Sequence, residues 1–557
     1  MVQLILSWVY IGVHMVIWSL GIKKALTRFA GVESEETDIR FLMAIAMLTV
    51  YAQVFSLVSG VGLIANLGLI LTDVLILLWT SDEWKRFLHE LPQRIRSAKW
   101  QLLLWGVLMV ILAASSAGSN NHYDTELYHG QAIRWIEEYG IVKGLGNLHN
   151  RLAYNSSFFA LQALFSLKFI AGQSLRNLNG FCAWLMIGLS FSTMRVWREK
   201  RFFTSDLLKV MVAFTLAKST YLTSDSTDLF TMELAIYIFA KWVEYVEKHE
   251  ECPDAYAILC LLIVYAITLK VSAGFLVVLV LKPAVLLLRQ KEWKKVGFYI
   301  GWGVLILLPF LIRNVILSGY LLYPYASIDL FSVDWKMPAE AVRGDAAEIM
   351  RWGQNMQYSN IAKPTLRQWL PVWFADQEGY VKLLLRVTGA MIPIGILWGF
   401  VDRIRTKSWD RLLIQATSTI CFLGWLFSAP LVRYGKAWFL IGFALPVGKM
   451  LELVDEWISR KQFSQYHTFK RVCMALLCGA MLIKHSVCLG DKQLWIKQMD
   501  YAVLKNEAIE WNDFTFYVPQ EGWDQVGYQS FPGTFRHVLP SIQLRGSDLS
   551  EGFRVRE

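Results

Sequence analysis

The stretch LLLWGVLMVILAASSA, residues 102–117, carries no charged side chain in sixteen positions. As a helix rising about 1.5 Å per residue it approaches the length needed to cross the roughly 30 Å hydrocarbon core of a bilayer. Residues 304–312, VLILLPFLI, show the same pattern inside a longer run. In lipid only helices and closed barrels satisfy their own backbone groups, and a barrel strand would alternate polar with apolar instead of staying apolar throughout. The expected fold class is therefore an all-α polytopic integral membrane protein.

Composition points the same way. The 557 residues are 55% hydrophobic, 14% aromatic and only 18% charged, too apolar for a soluble chain of this size. About fourteen spans are expected, near 2–20, 41–58, 61–79, 102–118, 178–194, 207–222, 229–246, 255–270, 273–288, 297–318, 379–399, 412–428, 438–455 and 472–489. The first has no basic residue before it and no small-residue cleavage site, so it reads as a retained span and not a signal peptide. Basic clusters at 85–99, 195–201, 289–295, 403–411 and 460–471 are placed in the cytoplasm by the positive-inside rule. Both chain ends and the large loops then face outward, from a cell (inner) membrane. The count requires residues 156–171, a marginal stretch containing Lys168, to lie along the surface or re-enter instead of spanning. These clusters also account for the formal charge of +10, which excludes a nucleic-acid surface as the simplest reading. Of seven cysteines, Cys182, Cys260, Cys421, Cys473 and Cys478 fall in spans and none forms a C-x-x-C pair, as expected of packing residues.

The chain divides into an N-terminal three-span extension with its basic loop (1–101), a membrane core (102–318) holding a first external loop (119–155), a second external loop (319–378), C-terminal spans (379–489) and an external tail (490–557). The tail contains a strand-like piece at 514–518 and turn-rich sequence around Pro532-Gly533 and Gly546, the mark of a small β-containing cap.

Chemistry belongs in the loops. The first, SNNHYDTELYHGQAIRWIEEYGIVKGLGNLHNRLAYN, holds three of the nine histidines. Apolar residues from Leu127 to Ile136 recur at helical spacing, predicting an amphipathic helix on the membrane. Asp124 stands at its start, as an N-cap or as a general base able to take a proton from an acceptor hydroxyl. Glu126 is placed to orient it or to be solvated. His122, Asp124, Glu126 and His129 are also metal-ligand types, although their spacing is a weak sign of a divalent cation site. Gly140, Gly144 and Gly146 mark a tight loop or ordinary turns.

A span followed by an external loop with an acid beside an amphipathic helix resembles the GT-C superfamily of membrane glycosyltransferases, which use polyprenyl-phosphate-linked sugars. Residues 123–156, with Asp124, Leu127, Tyr128 and His129 in an aspartate-x-x-leucine-tyrosine-histidine element, resemble an uncharacterised bacterial group of GT-C-like proteins. Arg313-Asn314 followed by SGYLLYP (318–324), and the tail's LRGSDLSEGFRV (544–555), are similar to stretches of that group. The resemblance implies a GT-C-like fold with external juxtamembrane helices and Asp124 as catalytic base; the second acid that often adjoins this base is not adjacent here, Glu126 standing two residues on, and no cofactor is expected beyond an optional divalent cation. The resemblance also implies a polyprenyl-phosphate sugar as donor and a lipid or glycan as acceptor.

Lys218, Lys270, Arg313, Arg433 and Lys436 lie at the outer face against the positive-inside trend, where a cation either snorkels or meets an anion. A lipid phosphate would sit at that level, making Lys270 and Arg313 the preferred ligands, with Arg433, Asn314 and His129 beside them. Asp225 and Asp228, in SDSTDL, are suited to positioning an acceptor or to capping helices. Trp335 in the second loop is suited to stacking on a sugar or to anchoring at the interface. Two other classes compete with this expectation. A lipid-linked glycan polymerase or ligase would need a longer groove, and a flippase or secondary transporter would use the intramembrane Asp73 and Glu233.

Overall fold

The computed structural model describes residues 1–33, 36–120, 122–199, 201–216, 220–361, 363–460 and 466–556. Lys218 and the side chain of Cys478 lie outside the described residues. The first five helices are α1 (Val2–Ala25), α2 (Thr37–Ser56), α3 (Leu63–Trp79), α4 (Ser81–Ser97) and α5 (Lys99–Ser116). Then come α6 (Gly130–Tyr139), α7 (Ser157–Phe165), α8 (Leu178–Ser192), α9 (Thr204–Phe214), α10 (Asp228–Glu247), α11 (Pro253–Leu269) and, after a 3-10 stretch at Val271–Val280, α12 (Trp293–Ser318). The second half adds α13 (Ala339–Gly353), α14 (Gly379–Thr406), α15 (Asp410–Ser428) and α16 (Val432–Ser459).

Among the described residues, eight helices are long and apolar enough to cross a membrane, or up to ten if each of two bent pairs is one span. This fits a multi-pass membrane protein, with fewer qualifying helices than the fourteen expected. The shortfall has a physical reason. The expected spans at 178–194, 207–222, 229–246 and 255–270 correspond to α8, α9, α10 and α11, which are short or charged and almost wholly buried within the protein. α10 is the hub: it is buried from Asp228 to Tyr245 and packs against α8, α9, α11 and α16. Its apolar residues answer to neighbouring helices rather than to lipid, which hydropathy alone does not distinguish.

Of residues 156–171, expected to lie along the surface or re-enter, 156–166 are buried inside the protein and only 168–171 reach the surface. All nine residues of α7 are buried, against α2, α6 and α11, and the chain then turns at Leu167, φ 50°. At about 14 Å a nine-residue helix is too short to span. α6 differs from the expected surface helix in the same direction. It is sandwiched, with α7 on one side and the tail on the other, where the Trp135 ring lies 4.8 Å from that of Phe531. Gln131 Nε2 donates to the carbonyls of Gly527 (2.6 Å) and Ser530 (2.7 Å), and Gly533 N–H donates back to its Oε1 (2.9 Å).

The tail holds two antiparallel hairpins. β1 (Asn506–Trp511) pairs with β2 (Phe514–Pro519) through a two-residue turn, Asn512-Asp513, in which both residues have positive φ, the geometry that a twisted hairpin favours. β3 (Ile542–Leu544) pairs with β4 (Phe553–Val555). β4 also reaches the first loop, where Phe553 N–H donates to the Lys143 carbonyl at 2.9 Å. This explains Gly144: at φ 63° an added Cβ would stand 2.1 Å from the Phe553 carbonyl oxygen. Gly140, at φ 77°, lies equally close to the backbone of Ser56 and Ser59. Of the cysteines, Cys182, Cys260 and Cys421 are buried packing residues, whereas Cys473 is exposed.

Candidate functional site: a charged cavity between the loops and the helix ends

A cavity of about 580 Å³ opens where seven chain segments converge. They are the turn containing Asp124 to His129, residues 151–156, the start of α10, the break after α11, and the segments around Tyr323, α13 and Arg433. Each charged side chain reaches it for a local reason. Asp228 is the first residue of α10, where the helix dipole favours a carboxylate. Lys270 follows the last turn of α11 in an extended conformation, φ −154° and ψ 121°, and donates from Nζ to Asp228. Arg433 lies in the first turn of α16.

Asp124 makes no capping hydrogen bond; its Oδ2 instead meets Arg433 Nη2 at 2.7 Å, with the two side chains 13% and 31% exposed. Burial alone would push the Asp124 carboxyl up, but Arg433 and the nearby His129 and His122 outweigh it and hold the group below the ordinary carboxylate range. Burial pushes His129 down to about 3 and lowers His122 as well, so both imidazoles are neutral at physiological pH. Their Nδ1 atoms have no hydrogen-bond partner among the described residues.

An aromatic wall completes the cavity. Lys270 Nζ sits 3.5 Å from the Tyr434 ring centroid and the Arg433 guanidinium 5.0 Å from it. Tyr154 and Tyr323 both donate to Asp345 of α13, Tyr323 at 2.9 Å, and Asn150 Nδ2 donates to its other oxygen at 2.8 Å. Arg151 reaches Glu348 at 3.4 Å. The lining thus holds three cations, Arg151, Lys270 and Arg433, against two carboxylates, Asp124 and Asp228, an arrangement suited to an anionic ligand.

Five of the expected site residues therefore meet: Asp124, His129, Asp228, Lys270 and Arg433. The other five face elsewhere. Glu126 accepts from Asn120 Nδ2 at 3.1 Å, its backbone carbonyl takes the Gly527 N–H at 2.8 Å, and burial raises its carboxyl. Asp225 is fully buried behind the loop, accepting from Gln162 Nε2 (2.9 Å) and the Tyr501 hydroxyl (2.7 Å); burial pushes it up to about 7. Arg313 is one residue removed from the cavity, donating from Nε to Asn155 Oδ1 at 3.2 Å and from Nη1 to Ser56. Asn314 Nδ2 holds the Leu321 carbonyl at 3.0 Å. Trp335 donates from Nε1 to Val315 O at 3.0 Å, and its ring carries the Lys143 and Arg545 cations. Lys436 donates to the Thr215 carbonyl at 2.7 Å. Sequence reasoning missed Arg151, Tyr154, Tyr323 and Tyr434; the last two had a signal, since Tyr323 lies in the SGYLLYP stretch and Tyr434 adjoins Arg433. Among the described residues no group of three or more His, Cys, Asp or Glu side chains is placed to hold a metal ion.

Fold and site together define a helical protein of multi-pass membrane character with a charged cavity at its helix ends. Residues 1–440 match the family described as a domain of unknown function (DUF8201), and the chain belongs to that family. All the cavity residues fall within the matched region, while most of α16 and the tail follow it. No curated protein and no solved structure matches the chain.

Proposed function

We propose that this chain is a membrane glycosyltransferase of GT-C type that transfers a sugar from a polyprenyl-phosphate donor to a hydroxyl of a lipid or glycan acceptor. The observation that carries the reading is the ionised Asp124 at the edge of a cavity where Lys270, Arg433 and Arg151 converge. Asp124 takes the acceptor hydroxyl proton as the acceptor oxygen bonds to the anomeric carbon. The bond from that carbon to the phosphate oxygen breaks, its electron pair leaves with the lipid phosphate, and Lys270 and Arg433 hold the resulting charge. Glu126 and Asp225 support the turn from behind, and Arg313 acts through Asn155. The tyrosine wall offers faces for a sugar ring. In this reading the chain crosses the cell (inner) membrane about fourteen times, with α8 to α11 as interior spans and the large loops and tail outside.

The experiment is glycosyl transfer by purified wild type and Asp124→Asn in nanodiscs, with a panel of polyprenyl-phosphate sugars and mixed acceptors. Transfer that collapses in a folded Asp124→Asn protein supports enzyme and base together; undiminished transfer removes Asp124 from the chemistry.

One observation favours a transporter as a second reading. His14 Nδ1 and Asp73 Oδ2 lie 2.5 Å apart, buried between α1 and α3, and Trp18 Nε1 donates to the same carboxylate at 2.9 Å. Glu233 is likewise buried, beside Thr215. An intramembrane histidine–carboxylate pair is the kind of group that carries coupling protons. Absence of turnover with every donor, together with proton-coupled flux in proteoliposomes lost in Asp73→Asn, would favour that reading.

A further inference from the structure

We infer that α4 is a membrane-surface helix that binds an anionic lipid leaflet, independently of what the cavity does. α3 and α4 meet at 88°, and α5, itself long and apolar enough to span, begins two residues after α4 ends. A helix perpendicular to the span before it and joined directly to the span after it lies in the plane of the membrane surface. Tryptophans mark that depth at both junctions: Trp79 ends α3, and Trp100 near the start of α5 is 69% exposed, the position that amphipathic rings take at a lipid–water boundary.

No residue of α4 is buried by the rest of the protein. Yet its apolar residues form one stripe: at 100° per residue Trp84, Phe87, Leu88, Leu91 and Ile95 fall on a single face, and the Trp84 and Phe87 rings stack at 5.5 Å. The charges are complementary to a negative surface. Over 85–99 there are five basic residues, Lys85, Arg86, Arg94, Arg96 and Lys99, and one acid, Glu90. Arg94 pairs with Glu90 at 2.7 Å. Lys85, Arg86 and Arg96 make no salt bridge among the described residues, and Lys85 and Arg96 both lie beyond one edge of the apolar stripe, where long basic side chains reach lipid headgroups. The acids Asp82 and Glu83 are confined to the first turn, and Glu83 is held by Lys24 of α1 at 3.4 Å. With α3, an apolar helix of 17 residues, on one side and the candidate span α5 on the other, the apolar stripe faces the bilayer and the basic residues meet its headgroups.

The test is backbone hydrogen–deuterium exchange over residues 81–97 of the full chain, in nanodiscs of phosphatidylcholine alone and of phosphatidylcholine with phosphatidylglycerol. Slower exchange in the anionic discs is expected, by roughly fivefold for each basic residue engaged, since each is worth about 1 kcal/mol at such a surface. The variant Lys85→Glu/Arg86→Glu/Arg96→Glu should exchange in anionic discs as wild type does in neutral ones. Because α4 contributes nothing to the core, exchange over α10 should stay unchanged and reports that the variant is folded. Equal exchange in the two lipids, retained protection in the variant, or protection that follows protein concentration and so reports a second copy, would each overturn the inference.

Discussion

Arg433, in the first turn of α16, lies 2.7 Å from Asp124 in the turn that precedes α6, so one ion pair joins the first large loop to the last of the eight long apolar helices. The pair makes Asp124 a charged group of the cavity and not a helix cap, and it fixes how Asp124 responds to pH.

Replacing Arg433 by Ala should move the acid limb of any Asp124-dependent activity to higher pH. Burial raises the Asp124 pKa and Arg433 is the largest influence lowering it, so its removal leaves burial less opposed. A pH–rate profile of wild type against Arg433→Ala checks this, and an unmoved acid limb would assign that limb to another group. The same shift governs stability. Because the folded pKa lies below the ordinary aspartate value, the ion pair stabilises the fold above that value and the contribution is lost as pH falls through the folded pKa. Wild type should therefore melt above Asp124→Asn near neutrality, by an amount equivalent to roughly 2–3 kcal/mol given the partial exposure of Arg433, and the two curves should converge in acid.

Asp225 should behave in the opposite sense. Its folded pKa of about 7 lies above the unfolded value, so burying it costs stability that grows as pH rises from the unfolded pKa toward the folded one and is constant beyond. Asp225→Asn should gain stability relative to wild type across that window, and the infrared absorption of protonated carboxyl groups titrating near neutrality should lose one component in the variant.

Lys270→Met should weaken binding of a polyprenyl phosphate by about tenfold to a hundredfold, as expected for loss of one charge-assisted hydrogen bond. Lys270→Arg should retain part of the affinity. Titration of the purified protein with the unglycosylated lipid phosphate measures this directly, and equal affinity in wild type and Lys270→Met would remove Lys270 from the phosphate site.

Gly144→Ala should be destabilised by more than about 2 kcal/mol, because the new methyl group meets the Phe553 carbonyl and the backbone is left-handed there. Gly301→Ala is the control: nothing lies within 4 Å of its added Cβ, and a helical Gly-to-Ala change should be neutral or stabilising by up to about 1 kcal/mol. Thermal unfolding of both variants compares them.

The runs at 102–117 and 297–318 were legible as candidate spans because α5 and α12 are long, strongly apolar helices of which about a third or less is buried inside the protein. α8 and α11 have the same composition for a different reason, burial by other helices, so they could not be told apart by hydropathy. The basic cluster at 85–99 read as a loop, whereas it is the polar side of a helix whose apolar residues lie at every third or fourth position. In the site, Lys270 and Arg433 were conspicuous because each stands at the end of an apolar run, where a cation is costly. Arg313 was conspicuous on the same ground, yet it turns to Asn155 and Ser56, since the direction of a side chain depends on packing that charge does not encode. Arg151 and Tyr154 carry no local mark, and Asp345 acquires its role only through hydroxyls and an amide brought to it from three other positions.

The clasp of the tail on the first loop, through Gly527 on Glu126 and Phe553 on Lys143, and on the segment before α10, through Tyr501 on Asp225, imposes an order of assembly. A chain emerging from the ribosome releases its helices first and these residues last. The turn bearing Asp124 therefore waits, with its backbone partner Gly527 unmade, until about four hundred further residues have been synthesised. A nascent chain halted before the tail would hold its helices and every lining residue of the cavity, but with the turn bearing Asp124 unclasped.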